Sequence, residues 1–219
     1  MNRRWTLDEA INDFVNTMTV PTEIIDQLNT DSLAKQHTAP EVGDKAPEFD
    51  VERITPSGER TSESIKLFDL RGKPVALMFG NLTCPVYRGQ IDRYNEIYDE
   101  LKGRYQFVNI YIREAHPEDG WRLDINNEQG VIYNQPTTLD ERAAVAKICV
   151  TKHNLKIPTA LDNIDNDADL VYTAAPERLY ILDSNGVVTY RSGRGPYDMD
   201  AVEEWYQALN RQPITAAAE

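Results

Sequence analysis

A single cysteine, Cys84, stands where an apolar run, Val75-Ala76-Leu77-Met78-Phe79, gives way to Gly80-Asn81-Leu82-Thr83-Cys84-Pro85 and then to an amphipathic stretch from Val86 to about Lys102. The pattern predicts a buried strand, a tight loop and a helix that starts at Pro85, where a missing N–H leaves no bond unmade. Cys84 then occupies the N-cap, beside free backbone N–H groups and the positive end of the helix dipole. That setting favours thiolate and lowers the thiol pKa below its free value of about 8.5. A thiolate is a nucleophile, so the pattern points to covalent redox chemistry. The competing reading is an inert cysteine packed as a small apolar side chain.

A second reactive pair, Glu114 and His116, follows the apolar run Phe107-Val108-Asn109-Ile110-Tyr111-Ile112. A run so continuous predicts a strand buried on both faces, and parallel sheets place ligands at the C-terminal ends of such strands. Histidine beside a carboxylate serves as acid or base near neutral pH. The same two residue types in a loop also serve as solvated or capping groups. Cys149, the other of the two cysteines, lies beside Ile148 on a helix face and reads as core rather than as a resolving thiol. The three histidines are scattered and neither cysteine belongs to a CxxC, so no bound metal or cofactor is expected.

The elements that must position these groups are legible in outline. Thr6-Leu7-Asp8-Glu9 is a capping-box pattern ahead of Ile11, Phe14, Val15 and Met18, and a second helix is expected after Pro21. Residues 1–41 therefore read as a helical arm and linker, 42–212 as the main domain and 213–219 as a tail. Pro56-Ser57-Gly58 suggests a hairpin turn, and 114–135 a long polar loop. Thr138-Leu139-Asp140-Glu141 opens another helix. Thr159-Ala160-Leu161 reads as a short strand, and Leu179–Leu182 and Val187–Tyr190 pair across Asn185-Gly186. A helix from about Met199 to Leu209 closes the domain. This order predicts an α/β, thioredoxin-like mixed sheet flanked by helices. Ala175-Pro176 stands where such folds hold a cis-proline facing the catalytic cysteine.

Composition narrows the function. With 23 basic against 36 acidic side chains the chain of 219 residues carries a net charge of -13, which argues against nucleic acid or anionic membrane as its partner. No apolar stretch reaches the roughly 18 residues of a membrane span. Met1–Glu9 carries two arginines without an apolar segment behind them, so no secretory signal is expected. Two cysteines make no disulfide framework, and a cytoplasmic location is the expectation.

Three segments together resemble the iodothyronine deiodinases and their bacterial relatives, a branch of the thioredoxin/peroxiredoxin-like superfamily: Phe79–Pro85, Ile110–Trp121, and Glu177–Tyr180 with Gly193–Pro196. The likeness spans about residues 43 to 210 and implies roles. Cys84 takes the place of selenocysteine as nucleophile. Glu114 and His116 fall on the proton-handling pair, with Tyr111 at the same strand end and Thr83 beside the nucleophile. Arg178 falls on an arginine implicated in holding a substrate carboxylate, and Trp121 is a candidate substrate contact. The implied reaction is thiol-dependent reductive dehalogenation of a halogenated phenol, an iodotyrosine- or iodothyronine-like small molecule. An external thiol (thioredoxin, glutathione or another dithiol) would restore Cys84, and the protein is expected to be an enzyme, with a homodimer possible. The chain departs from the animal pattern in having cysteine for selenocysteine, for which slower dehalogenation is expected. Pro136 stands where the animal enzymes carry a phenol-binding histidine, and Leu82 where some members have a helper cysteine. A peroxiredoxin-like thiol peroxidase, or a non-enzymatic redox sensor or adaptor, would use the same Cys84. Thr83 adjacent to the cysteine, rather than a threonine three residues before it, weighs against the peroxidase.

Overall fold

Val75–Gly80 (β3) is buried along its whole length and pairs in parallel with Gln106–Tyr111 (β4), as continuous apolar runs in the middle of an α/β sheet do. The structure, a computed structural model, describes residues 39–193, 195 and 200–212. The described residues form a seven-stranded sheet in the order β2-β1-β5-β4-β3-β6-β7. Its remaining strands are Asp50–Ile54 (β1), Arg60–Lys66 (β2), Thr159–Leu161 (β5), Arg178–Leu182 (β6) and Val188–Arg191 (β7). β4 and β5 are parallel, whereas β6 runs antiparallel to β3 and β7 to β6. The predicted thioredoxin-like arrangement is therefore present, and the hairpin at Pro56-Ser57-Gly58 joins β1 to β2.

The described α-helices are Pro85–Leu101 (α1), Asp124–Glu128 (α2), Leu139–Lys152 (α3), Asp167–Tyr172 (α4) and Ala201–Arg211 (α5), and a 3-10 turn spans Leu67–Leu70. Strand alternation divides the core between the two faces of the sheet. On one face Ala76, Met78, Leu179 and Ile181 pack with Cys84, Tyr87, Tyr94, Cys149 and Trp205 from α1, α3 and α5. On the other, Leu77, Phe79, Ile110 and Tyr180 pack with Phe49 and Tyr172. Trp205 is fully buried, and its indole N–H donates to the Tyr180 carbonyl at 3.1 Å, tying α5 to β6.

The capping box expected at Thr138 is formed: its hydroxyl accepts from Glu141 N–H at 3.2 Å and the Glu141 carboxylate takes Thr138 N–H at 3.1 Å. Two short helices were not foreseen. α2 lies inside the segment expected to be polar loop, and its buried Ile125 and Asn126 are too few to show a period. α4 is capped from afar. The Asp162 carboxylate, at the end of β5, accepts from Ala168 and Asp169 N–H at 3.0 and 2.9 Å. Residue 166, at the N-cap itself, adopts a left-handed conformation with φ 62°. The expected N-terminal helical arm and the tail lie outside the described residues, as does Met199.

Candidate functional site

Cys84 is the N-cap of α1 and Pro85 its first residue, as the sequence predicts. The loop that carries it is pinned at every polar atom of Thr83. Its N–H donates to Glu114 Oε2 at 2.9 Å, its hydroxyl accepts from His116 N–H at 3.0 Å, and its carbonyl accepts from Asn126 Nδ2 at 2.8 Å. Tyr111, at the end of β4, completes the cradle. Its hydroxyl accepts from Leu82 N–H at 2.9 Å and donates to Glu114 Oε1 at 2.5 Å. Glu114 in turn is clamped by Gln135, which bonds both its N–H and its carbonyl, at 2.8 and 3.2 Å. Cys84, Thr83, Tyr111, Glu114 and His116 are thus drawn together where β3 and β4 end side by side.

Asn81 is the hub that the sequence did not single out. Fully buried, it accepts at Oδ1 from Cys84 N–H and Ala115 N–H, both at 3.0 Å, and from the Thr83 hydroxyl at 3.2 Å. Its Nδ2 donates to the Pro176 carbonyl at 2.8 Å. The Ala175-Pro176 bond is cis, as expected. One amide side chain therefore joins three loops: the nucleophile's, the one after β4 and the one before β6. Asparagine after a strand reads as an ordinary turn residue. A sequence carries no mark of partners 34 and 95 positions away.

The electrostatics of Cys84 differ from the expectation. The Tyr87 and Val86 N–H groups at the start of α1 and the Arg88 guanidinium favour charge on the sulfur, although none of these N–H groups closes a capping hydrogen bond to it. Burial outweighs them, and with the Glu177 carboxyl nearby it pushes the thiol well above its ordinary pKa. Cys84 has 0% of its surface exposed, so in this closed arrangement it rests as neutral thiol. Burial likewise lifts Glu114 above the usual carboxylate range, against the pull of its bonds from Tyr111 and Thr83.

His116 is buried and burial lowers its pKa to about 4, so the ring is neutral at pH 7. Its Nδ1 lies 3.2 Å from the Trp121 carbonyl, which assigns the proton to Nδ1 and leaves Nε2 as an acceptor. The Trp121 ring meets the imidazole edge-on at 4.5 Å between centroids, so the tryptophan packs over the loop.

Arg178 does not join this cluster. The register of β3 with β6 sets it opposite Phe79, on the sheet face away from Cys84. Its guanidinium is buried, stacks 5.9 Å from the Tyr180 ring centroid and donates to the Thr173 and Ser192 carbonyls at 2.9 and 3.3 Å. These bonds brace the cis-proline loop and leave the expected carboxylate contact without geometric support.

The preceding residue, Glu177, turns to the Cys84 face instead. Its Oε2 is buried with no hydrogen-bond partner, and burial raises its pKa to about 8. Cys149 is fully buried in the same core cluster, and burial pushes its thiol up to about 12. Among the described residues no cluster of His, Cys, Asp and Glu could hold a metal ion, and no helix is long and apolar enough to cross a membrane.

The comparisons with known proteins agree with this architecture. Human thyroxine 5-deiodinase is 28% identical over 172 residues, 78% of this chain and 54% of the relative. Human type II iodothyronine deiodinase is 26% identical over 184 residues, 76% of this chain and 67% of the relative. The chain spans about half the length of the thyroxine 5-deiodinases it matches, 54% for the human protein. Among solved structures, Mycobacterium tuberculosis AhpC aligns with a TM-score of 0.53 at 15% identity, over 78% of this chain and 92% of that one. Reduced Plasmodium vivax 2-Cys peroxiredoxin aligns at 0.51 and 17% identity, over 77% and 80%. These likenesses give the fold as thioredoxin/peroxiredoxin-like. The iodothyronine deiodinase family model matches residues 13–212, which contain every bond of the Cys84 cradle, and the chain belongs to that family.

Proposed function

We propose that the protein is a thiol-dependent reductive dehalogenase acting on a halogenated phenol of the iodotyrosine or iodothyronine class. The observation that carries the reading is the convergence of Tyr111, Glu114 and His116 on the two residues before Cys84, within a chain of this family. Cys84 supplies the nucleophile. Its thiol proton passes to Nε2 of neutral His116, and the thiolate attacks the halogen. The sulfur–halogen bond forms as the carbon–halogen bond breaks, and the pair from the broken bond stays on the ring carbon. That carbon takes the proton from the imidazolium, so halogenated phenol and thiol become phenol and sulfenyl halide. An external thiol then displaces halide to give a mixed disulfide, and a second thiol releases Cys84. Glu114 and Tyr111 hold the loop in register through these steps, and Trp121 orients the imidazole. Because Cys84 is fully buried, substrate entry requires the closed site to open.

The test is iodide release from diiodotyrosine, thyroxine and simple iodophenols with excess dithiothreitol, with Cys84→Ala as control. Cys84-dependent iodide is expected. If the folded protein releases none from any member of the panel, the dehalogenase reading is abandoned.

A further inference from the structure

Arg88, in the first turn of α1, carries a buried charge that the proposed mechanism does not use. The residue is 8% exposed. Its guanidinium donates to the Leu82 carbonyl, to Asn126 Oδ1 at 2.8 Å and to Gln129 Oε1 at 2.5 Å. All three acceptors are neutral, and among the described residues no carboxylate pairs with it. Arginine cannot shed its proton in a protein, and a buried charge without a counter-charge is strongly destabilising. Such an arrangement is consistent with a site in which an anion appears only transiently.

The geometry says where that anion forms. Arg88 N–H donates to the Cys84 carbonyl at 3.1 Å, so the two residues are one helical turn apart. The Arg88 side chain reaches back to Leu82, and through Asn126 it is joined to the Thr83 carbonyl. The guanidinium thus grips the two residues that lead into the nucleophile, while the Arg88 backbone holds the Cys84 carbonyl.

We infer that Arg88 is the standing cation that stabilises negative charge on Cys84, and that Asn126 and Gln129 are kept neutral so that this charge is not spent elsewhere. The inference rests on Cys84 being the nucleophile. The other titratable groups facing Cys84 are Glu177 from the start of β6 and Tyr87 and Tyr94 from α1, each of which opposes or leaves unaided its ionisation. Tyr111 from β4, Glu114 and His116 from the loop after it, and Cys149 and His153 from α3 and its C-cap face Arg88, and Arg142 faces Glu114. Arg88 is the cation acting on the sulfur in this set.

Gln129→Glu tests this without removing the arginine. Gln129 is half-buried at the C-cap of α2, and glutamate keeps its acceptor while giving Arg88 a counter-charge. Cys84 alkylation by iodoacetamide, a neutral reagent, is followed by mass spectrometry from pH 6 to 10 in a Cys149→Ser background. Q129E is expected to move the midpoint of the pH profile up by about one unit and to slow alkylation about tenfold below it. R88K, which keeps the charge, should retain most of the profile, whereas R88M should reproduce or exceed the loss. If Q129E and the wild type give superimposable profiles while both remain folded, Arg88 is a structural brace and the inference fails. If Cys84 of the wild type resists alkylation at every pH, the nucleophile reading falls first.

Discussion

Glu177→Gln should make this protein more stable at neutral and alkaline pH, and by an amount that grows as pH rises. The side chain follows the cis proline, and Oε2 finds no hydrogen-bond partner among the described residues. Burial raises its pKa from 4.5 to about 8. Because the folded value lies above the unfolded one, the fold holds a proton between these two pH values that the unfolded chain has released. Stability therefore falls as pH climbs through that window and levels off above it. Each pH unit within it is worth about 1.4 kcal/mol. Relative to E177Q, the wild type should lose about 1 kcal/mol by pH 5, about 3 by pH 7 and ~5 above pH 8, as order-of-magnitude values. The glutamine amide leaves a buried N–H₂ unpaired at a cost of about 1–3 kcal/mol, but that cost is independent of pH and only offsets the curves.

Urea melts of both proteins at pH 5, 6, 7 and 8, followed by tryptophan fluorescence, give the difference directly. Two curves running parallel across this range would refute the reasoning, because a glutamate with an ordinary pKa contributes no differential slope. The same variant removes the carboxyl that opposes ionisation of Cys84, so its iodoacetamide profile should shift to lower pH.

His116 predicts the opposite slope. Its folded pKa of about 4 lies below the ordinary 6.5, so stability is lost as pH falls from 6.5 towards 4. His116→Asn should spare up to about 3 kcal/mol of that acid loss in melts at pH 4.5 to 7, while abolishing iodide release. Asn81→Ala strips the acceptor from one buried and one part-buried N–H group and the donor from the Pro176 carbonyl, so a loss of about 3 kcal/mol is expected by urea melt. Gly80→Ala would place a Cβ 2.1–2.7 Å from the Tyr87 ring, and a thermal melt should register about 1–3 kcal/mol of overpacking.

Local chemistry made much of this legible. The apolar runs of β3 and β4, the Pro85 start of α1 and the Thr138 capping box each rest on residues within a few positions of one another, and each was found as read. The family resemblance grouped Glu114, Tyr111, Thr83 and His116 with Cys84, and the side-by-side ends of β3 and β4 in a parallel sheet are what bring them together. What escaped depends on distance in sequence. Asn81 acts through Pro176, α4 is capped by Asp162, and Arg88 is held by α2, a helix too short to show a period. The ionisation of Cys84 was read with the wrong sign because the N-cap is visible in sequence whereas complete burial is not. The placement of Arg178 was hidden for a related reason: only the β3–β6 register reveals which face it occupies.

These errors bear on one physical question, namely how a buried thiol becomes a nucleophile. In the closed site burial and the Glu177 carboxyl hold Cys84 neutral, while Arg88 and the N–H groups of Val86 and Tyr87 favour its charge. The stabilising groups are built into α1 and its neighbours and persist when solvent enters. The desolvation that opposes them does not, because it lasts only while Cys84 stays closed off from water. Opening the site to admit a substrate therefore removes the dominant obstacle to ionisation and leaves the cation and the N–H donors in place. Access and activation are thereby coupled, so a thiol inert towards bulk oxidants when closed becomes reactive when the site opens. Alkylation of Cys84, at a helix N-cap, should accordingly accelerate in mild, sub-denaturing urea more than that of Cys149, which lies inside α3. Equal acceleration of the two cysteines would mean that Cys84 is reached only by global unfolding, and the coupling would be lost.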